Sequence, residues 1–312
     1  MHAVTIVDGA LEWREHPDPV PGKGELLVRV HAAGLNSADL MQVAGFYPAP
    51  PGSPQDIPGM ELAGEVVAVG DGVYRFAIGD RVMAVVGGGA QADLALVHER
   101  TAIPVPDRVD WPDAGGFPEA FTTAHDALFT QCGLAMGDRL CVHGAAGGVG
   151  LAGVQLGLAA GAEVVATVRN EELRPAVSAF GAEVVAPEDF AAHGPFDVIL
   201  ELVGAPNLPG DVESLAIGGR IAVIGVGGGT AAELNLHALM GKRARIHGST
   251  LRARPLEQKA MAAHLVEAHV LPHLDRGTIK VPVAATYPLA DAAKAYERFA
   301  AGGKLGKIVL VN

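Results

Sequence analysis

Apolar positions in the first hundred residues come in short runs that glycine, proline and aspartate interrupt. The runs have the length and composition of β-strands, and Gly-Asp turns open or close several of them. They occupy residues 26–31, 62–69, 80–85 and 92–97. This pattern predicts a small barrel or a folded sheet. A proline-rich loop at residues 45–52 cannot hold a central strand, so we expect it to form the wall of a site.

From residue 139 onwards, nearly continuous apolar runs alternate with stretches of helical pattern. Such runs are typical of strands buried on both faces of a doubly wound parallel sheet. They occupy residues 139–142, 163–168, 183–185, 196–200, 220–224 and 244–248. Helical patterns occupy residues 117–134, 175–180, 255–270 and 288–301. A last strand at 306–311 is expected to return to the N-terminal domain. The predicted fold class is therefore α/β.

The crossing between the two regions is expected in a proline-rich segment. Residues 101–118 contain four prolines, Pro104, Pro106, Pro112 and Pro118. Domain boundaries commonly fall in segments of this composition. We assign residues 1–117 and 252–312 to a β-rich catalytic domain and residues 118–251 to a Rossmann domain.

A glycine-rich turn follows the first run of the parallel-sheet region. Residues 143–150 read HGAAGGVG, and a helical stretch of small residues and a second apolar run come next. Glycines let such a turn approach a pyrophosphate, and the helix then presents its free N–H groups to the anion. Ala145 replaces the first glycine of the usual fingerprint. We predict dinucleotide contacts at Ala146, Gly147, Gly148 and Val149; a glycine turn of some other α/β protein is the alternative.

The end of the second run indicates which dinucleotide binds. An acidic residue there would bind the ribose hydroxyls of NAD, whereas an arginine accommodates the 2′-phosphate of NADP. This chain has Arg169 and Asn170 directly after Val168, with Arg174 a few residues on. We interpret Arg169 as a phosphate clamp with Asn170 and Arg174 as helpers, and the cofactor as NADPH. A solvated surface arginine is the alternative.

Two later strand ends also carry small residues. They are Val203-Gly204 and Gly225-Val226, and both are placed to let a cofactor lie close to the backbone. Ordinary turn glycines would give the same pattern.

Composition excludes several function classes. The chain of 312 residues has a formal net charge of −12 and no basic run, so nucleic acid and anionic membranes are not expected partners. No apolar stretch is long and continuous enough to span a membrane. The two cysteines form no CxxC pair, and no signal-peptide pattern is present, so we expect a cytoplasmic protein without disulfides.

Several strings together resemble the quinone oxidoreductase, zeta-crystallin-like branch of the medium-chain dehydrogenase/reductase superfamily. They are residues 34–40 (GLNSADL), 45–48 (GFYP), 144–150 (GAAGGVG) and 303–310 (GKLGKIVL). The run 246–273, with Ser249-Thr250-Leu251-Arg252, looks closest to the p53-inducible quinone oxidoreductase type. The resemblance implies a GroES-like domain, a Rossmann domain and a cleft between them. It also implies NADPH as hydride donor, a quinone or other α,β-unsaturated carbonyl substrate, and a homodimer.

The chain departs from the zinc-dependent alcohol dehydrogenases of that superfamily. Those enzymes carry a Gly-His-Glu motif and a four-cysteine lobe, whereas this chain has Gly59-Met60-Glu61 and no cysteine cluster. Because methionine does not replace histidine as a ligand of a hard metal, we expect no catalytic zinc. The twelve histidines also suggest no metal site: His269 and His273 are four apart, but Pro272 interrupts the helix that would align them.

Hydride transfer to an enone or quinone puts negative charge on the substrate oxygen, and a hydrogen-bond donor there lowers the barrier. By the resemblance, Asn36 and Tyr47 lie near the substrate, and Tyr47 could donate a proton. Asn36 bonding its own backbone and Tyr47 as a packed aromatic are the alternatives. Thr122 and Thr123 are candidates to line the cleft or to start a helix. We assign Thr123 and Lys307 to the cofactor.

Two other functions remain open at this point. A zinc-free enoyl-thioester reductase would use the same cofactor but would need a larger acyl pocket. A cofactor-binding protein with incidental turnover, as in a crystallin-like role, would bind NADPH without an efficient acceptor.

Overall fold

The computed structural model describes residues 1–312, and the first 119 of them form strands and two short helices. Their bounds are β1 His2–Val7, β2 Ala10–Glu15, β3 Glu25–Gly34, α1 Ser37–Val43, β4 Glu61–Val69, β5 Arg81–Val85, β6 Leu94–His98, β7 Ala102–Pro104 and α2 Trp111–Gly116. The four strands predicted from sequence correspond to β3, β4, β5 and β6. The hairpin of β1 and β2 and the short β7 are additional.

The next segment alternates helices with parallel strands. Its elements are α3 Pro118–His125, β8 Arg139–Val142, α4 Gly148–Ala159, β9 Glu163–Thr167, α5 Arg174–Ser178, β10 Glu183–Val185, β11 Phe196–Glu201, α6 Leu208–Ser214, β12 Leu215–Val223, α7 Leu236–Lys242 and β13 Arg245–Gly248. A π-helical segment, Asp126–Gln131, follows α3 and completes the predicted helix. All six predicted strands are present.

The remaining elements lead back to the first sheet. They are α8 Leu256–His269, α9 Leu271–Arg276, β14 Val283–Pro288, α10 Ala292–Ala300 and β15 Lys307–Val311. Strand β15 pairs antiparallel with β3, so the end of the chain returns to the N-terminal strands as expected. The resulting seven-stranded sheet has the order β14-β15-β3-β4-β5-β7, with β6 also paired to β3.

The chain divides into two compact units. The first comprises Met1–Glu119, Leu251–Gly302 and Lys307–Asn312, and the second comprises Ala120–Thr250 and Gly303–Gly306. In the first unit, buried aliphatic side chains of β3 to β6 form one core cluster, and Tyr296 of α10 packs with Ile308 and Leu310 in another. No helix in the chain has the length and apolar character needed to cross a bilayer.

The parallel sheet of the second unit has the order β10-β9-β8-β11-β12-β13. This is the doubly wound order of a Rossmann fold, in which the strand sequence reverses between the first and fourth strands, here β8 and β11. Ligands bind such sheets at the carboxyl ends of the strands beside this reversal. Every loop that the sequence assigned to the cofactor leaves this edge.

Helix α4 packs very close to the sheet because three glycines face it. A Cβ on Gly150, Gly153 or Gly157 would lie 2.6 Å from Ala145 Cα, Leu200 Cδ2 or Leu140 Cδ2, respectively. These distances are too short for any real side chain, so the glycines fix how closely α4 approaches β8 and β11. The packing brings the helix N-terminus to the strand ends.

Candidate functional site

The glycine turn of the second unit presents an open helix N-terminus. Gly147 is the N-cap residue of α4, no side chain caps the helix, and no acidic residue stands in its first turn. The first amides of a helix lack intrahelical partners, and the helix dipole is positive there. Gly144 allows the tight turn because its φ is +63°. Ala146, Gly147, Gly148 and Val149 therefore line a surface suited to an anion.

Three polar residues predicted to hold a 2′-phosphate follow β9. Arg169 is exposed and its guanidinium makes no hydrogen bond or ion pair within the chain. Asn170 accepts from the Glu172 backbone amide at 3.0 Å and caps a short turn. Arg174 is partly buried and donates to the Val168 carbonyl at 3.1 Å. Arg169 is thus the free cation of the three.

The turns after β11 and β12 touch each other through glycine. A Cβ on Gly225 would lie 2.3 Å from the Leu202 carbonyl oxygen, and one on Gly204, at φ +104°, would lie 2.8 Å from Val226 Cα. These close contacts give both glycines a packing reason independent of a cofactor. The amides of Val203 and Gly204 both donate to Glu201 Oε1, so they are not free for a ligand.

Two adjacent threonines lie on α3. Both are buried, and the Thr122 hydroxyl oxygen has no hydrogen-bond partner. Buried hydroxyls are normally bonded, so an unpartnered one calls for an explanation. A polar group of a bound cofactor would provide the partner. Sequence analysis assigned Thr123 to the cofactor; the open hydroxyl belongs to its neighbour.

In the first unit, Lys307 and Asn36 share a buried polar cluster. The Lys307 ammonium donates to the Leu35 carbonyl at 2.8 Å, to Asn36 Oδ1 at 2.7 Å and to Glu61 Oε1 at 2.6 Å. Asn36 Nδ2 in turn donates to Glu61 Oε1 at 2.9 Å and approaches the Gly34 carbonyl at 3.4 Å. The three ammonium protons of Lys307 are therefore directed at protein acceptors. The N–H groups of Asn36 are engaged as well.

Tyr47 lies on the predicted site wall with a hydroxyl group that has no partner in the chain. Arg252, which is buried, holds this residue: its Nη1 donates to the Tyr47 carbonyl at 3.0 Å, and its Cζ lies 5.2 Å from the centre of the Tyr47 ring. Burial raises the pKa of the Tyr47 hydroxyl, and the positive charge of Arg252 opposes that rise. Of the two predicted catalytic residues, only Tyr47 offers a free donor.

Sequence analysis assigned no role to Arg252, although it lay in a string that carried the resemblance. Its Nε donates to the Gly87 carbonyl at 2.8 Å and its Nη2 to Gln42 Oε1. These acceptors are distant in sequence. A lone arginine in an otherwise ordinary stretch gives no signal of such contacts.

Matches to two family models cover most of the chain. The model described as the alcohol dehydrogenase GroES-like domain matches residues 22–107, and the model described as zinc-binding dehydrogenase matches residues 148–267.

Comparison with individual proteins gives matches of nearly full length. The chain is 33% identical over 306 residues to a quinone oxidoreductase of Rattus norvegicus, a match that covers 94% of this chain and 91% of the relative. A mycobacterial protein solved in complex with NADPH has a TM-score of 0.89 and 27% identity, with each chain covered completely. A phenolphthiocerol/phthiocerol polyketide synthase of Mycobacterium tuberculosis has one polypeptide that is 33% identical over 93% of this chain, which corresponds to 14% of that polypeptide.

The zinc of the second family description does not fit the residues present here. Met60 is buried in place of the motif histidine, and its neighbour Glu61 is bonded to Lys307. His143, Glu201 and Asp211, which we call the buried cluster, bring ligand-type atoms within 4.8 Å of one another in the second unit. However, His143 Nε2 and Asp211 Oδ1 are 2.8 Å apart. This is a hydrogen-bond distance, shorter than the spacing of about 3.3 Å between two ligands of a tetrahedral zinc.

Proposed function

Because the chain belongs to the quinone oxidoreductase branch of the medium-chain dehydrogenase/reductase superfamily, we propose that it reduces quinones or other α,β-unsaturated carbonyl compounds with NADPH and without a metal. The protein is an oxidoreductase. The observation that carries the finer proposal is the open, uncapped N-terminus of α4 beside an unpartnered Arg169. The first feature suits a pyrophosphate and the second suits a 2′-phosphate.

The residues of the second unit would hold the cofactor at the carboxyl edge of the parallel sheet. The backbone of Gly147, Gly148 and Val149 binds the pyrophosphate, and Arg169 forms charge-assisted hydrogen bonds to the 2′-phosphate. The NADPH complex of the mycobacterial relative supports this choice of cofactor. The bound cofactor supplies a hydride; everything else is positioning and polarity from the protein.

In the first unit, the Tyr47 hydroxyl is the donor that stabilises charge on the substrate oxygen. The group is free, lies on a proline-rich loop and is held by Arg252. A donor aimed at a developing oxyanion lowers the barrier to hydride transfer without changing the binding of the cofactor. Water or Tyr47 itself then protonates the product. Asn36 has no spare N–H, so we assign it the positioning of Glu61 and Lys307.

An acceptor screen tests this proposal. NADPH oxidation is followed by stopped-flow absorbance with 1,2-naphthoquinone, 9,10-phenanthrenequinone and a crotonyl thioester. We expect saturable quinone reduction that a chelator leaves unchanged. Loss of activity on chelation, or no turnover of either quinone, would overturn it.

The similarity to a segment of a polyketide synthase favours a second candidate, a zinc-free enoyl-thioester reductase. Saturable thioester reduction without quinone reduction would support that candidate. Tight NADPH binding without any acceptor would instead support a cofactor-binding role.

We also propose a homodimer formed through the second unit. Strand β13 is an edge of the parallel sheet, paired only with β12. Helix α7, which precedes it, exposes Leu236 and Met240 at 65% and 73%. An unpaired edge next to exposed apolar residues is suited to pairing with a second copy. Light scattering after gel filtration should give twice the monomer mass, and Met240→Lys should shift it towards the monomer.

A further inference from the structure

A buried imidazole links the ends of three neighbouring strands from which the proposed cofactor loops start. His143 directly follows β8, and its Nδ1 lies 3.0 Å from Oγ1 of Thr167, the last residue of β9. Its Nε2 lies 2.8 Å from Asp211 Oδ1 and 4.0 Å from Oε2 of Glu201, the last residue of β11. The three members of the buried cluster have no exposed surface.

The cluster holds more carboxyl groups than cations. Burial alone would lower the pKa of His143, but its hydrogen bonds with Asp211 and Cys141 outweigh burial and raise that pKa to about 11. His143 is therefore an imidazolium at neutral pH, with Asp211 as its counter-ion. A second ionised carboxylate at Glu201 would leave one negative charge unbalanced in a dry interior, which is costly.

Two oxygen atoms of the cluster are unsatisfied if both carboxyl groups are ionised. They are Glu201 Oε2 and Asp211 Oδ2, both buried and without a partner. A carboxylate can only accept hydrogen bonds, whereas a protonated carboxyl group also donates one. One proton placed on Glu201 would give Asp211 a donor and would satisfy both orphan oxygens at once.

The other oxygen of Glu201 already has a structural task. Oε1 accepts from the amides of Val203 and Gly204, and thereby fixes the turn that follows β11. This turn is one of the loops at the proposed cofactor edge. The position of the Glu201 carboxyl group thus sets the position of the turn.

We propose that Glu201 and Asp211 share one buried proton, and that this carboxyl–carboxylate pair positions the Val203–Gly204 turn for dinucleotide binding. The consequence for binding rests on the proposed function. Loss of the proton leaves two adjacent carboxylates that repel each other, which pulls Glu201 from the two amides and weakens dinucleotide binding.

The other groups around Glu201 are consistent with this arrangement. Burial and the nearby Asp211 carboxylate raise the pKa of Glu201 to about 7, against the lowering effect of the His143 charge. The Cys141 thiol of β8 also faces the cluster, and burial raises its pKa, so it stays neutral. The ring of Phe190 meets the His143 ring edge-on at 4.7 Å and closes the cluster on that side.

The first experiment reads the proton directly and needs no cofactor. Infrared difference spectra of the wild-type protein are recorded while pH rises from about 6 to about 8 across the Glu201 transition. We expect the carbonyl band of a protonated carboxylic acid to disappear, and we expect that titrating band to be absent in Glu201→Gln. The matched control, Glu213→Gln, removes an exposed carboxylate of α6 and should retain the band. A wild-type spectrum without a titrating carboxyl band would overturn the shared proton, whether or not the variant folds.

The second experiment reads the positioning. Glu201→Gln keeps an oxygen for the two amides and gains an N–H for Asp211, so it imitates the protonated state. The NADPH Kd of the wild type should rise about tenfold per pH unit above the transition at most, whereas that of Glu201→Gln should stay level. The ratio of the two Kd values cancels titration of the 2′-phosphate itself. A constant ratio with tight wild-type binding would overturn the positioning role alone; no wild-type binding at any pH would overturn that role together with the proposed function.

Discussion

The ammonium nitrogen of Lys307 lies 2.6 Å from Oε1 of Glu61, and both side chains are buried. The ion pair is fully bonded, because Lys307 also donates to Leu35 and Asn36 while Glu61 Oε2 accepts from the Glu119 amide at 2.8 Å. A buried pair is tolerated when its remaining hydrogen-bonding capacity is used in this way. Lys307 was predicted to contact the cofactor. Its bonds support a role in holding Asn36 and Glu61, and a cofactor contact stays a prediction.

Lys307→Met should destabilise the protein strongly, because it leaves the Glu61 carboxylate buried without a cation. We expect a loss of about 3–5 kcal/mol in the free energy of unfolding, measured by urea denaturation. The double variant with Glu61→Gln should recover most of the loss. Lys294→Met is the control: its pair with Asp291 is exposed and should cost no more than about 1 kcal/mol. Equal effects of the two single variants would contradict the argument.

Tyr47→Phe should lower kcat roughly a hundredfold for quinones while the NADPH Kd stays nearly constant, because only the donor to the substrate oxygen is lost. The Arg252 bond is to the Tyr47 backbone and survives the change. Tyr74→Phe, at a residue that is 90% exposed, is the control. Steady-state kinetics and fluorescence titration separate the two effects. An unchanged kcat would return Tyr47 to a packing role.

Arg169→Ala should raise the NADPH Kd by about 10- to 100-fold, because charge-assisted hydrogen bonds to the 2′-phosphate are lost. NADH lacks that phosphate and serves as the internal control, with an expected change of no more than about twofold. Titrations with both nucleotides on the same preparation give the comparison. Similar losses for the two nucleotides would rule out the clamp.

Gly150→Ala should destabilise the second unit, since the new Cβ would lie 2.6 Å from both Ala145 Cα and the Gly144 carbonyl oxygen. Overpacking against backbone typically costs about 1–3 kcal/mol, and the shifted helix should also bind NADPH less tightly. Gly241→Ala in α7 is the same substitution with nothing within 4 Å of the new atom. It should stabilise the protein by up to about 1 kcal/mol through helix propensity. Thermal unfolding would reveal opposite signs for the two variants, and matching signs would count against the packing argument.

Asp39 should make stability depend on pH in a specific direction. It is fully buried, accepts from the Asn36 amide at 2.8 Å and the Gly59 amide at 3.2 Å, and burial raises its pKa to about 6. Because the native pKa lies above the unfolded value of 3.8, its contribution is fully present below that value and lost as pH rises through about 6. The free-energy difference between wild type and Asp39→Asn should therefore fall by about 3 kcal/mol from acidic to neutral pH. A difference that does not vary with pH would show that Asp39 titrates normally.

The strands of the parallel sheet could be predicted because burial on both faces demands continuous apolar runs. The hairpin of β1 and β2 was missed, since β2 is largely exposed and its sequence, ALEWRE, is mixed. Its signal was the turn at Asp8-Gly9, where both residues have positive φ, +50° and +80°. An Asp-Gly pair between two short extended runs is typical of a two-residue hairpin turn.

Local parts of the candidate site could be predicted, and long-range parts could not. The glycine turn is specified by neighbouring residues, so its placement at an open helix N-terminus followed from sequence. Arg252 contacts Tyr47 across 205 positions, and Lys307 contacts Glu61 across 246. Such pairings are determined by the folded sheet, and no spacing along the chain encodes them.

The insertion of β15 between β14 and β3 has a consequence for biosynthesis. The last strand to leave the ribosome occupies an interior position beside one of the first strands made, so the first unit cannot complete its sheet before translation ends. Until then β3 exposes the backbone groups that later pair with Val309 and Leu310. Nascent chains stalled a few residues short of the stop codon should therefore be the ones that chaperones retain.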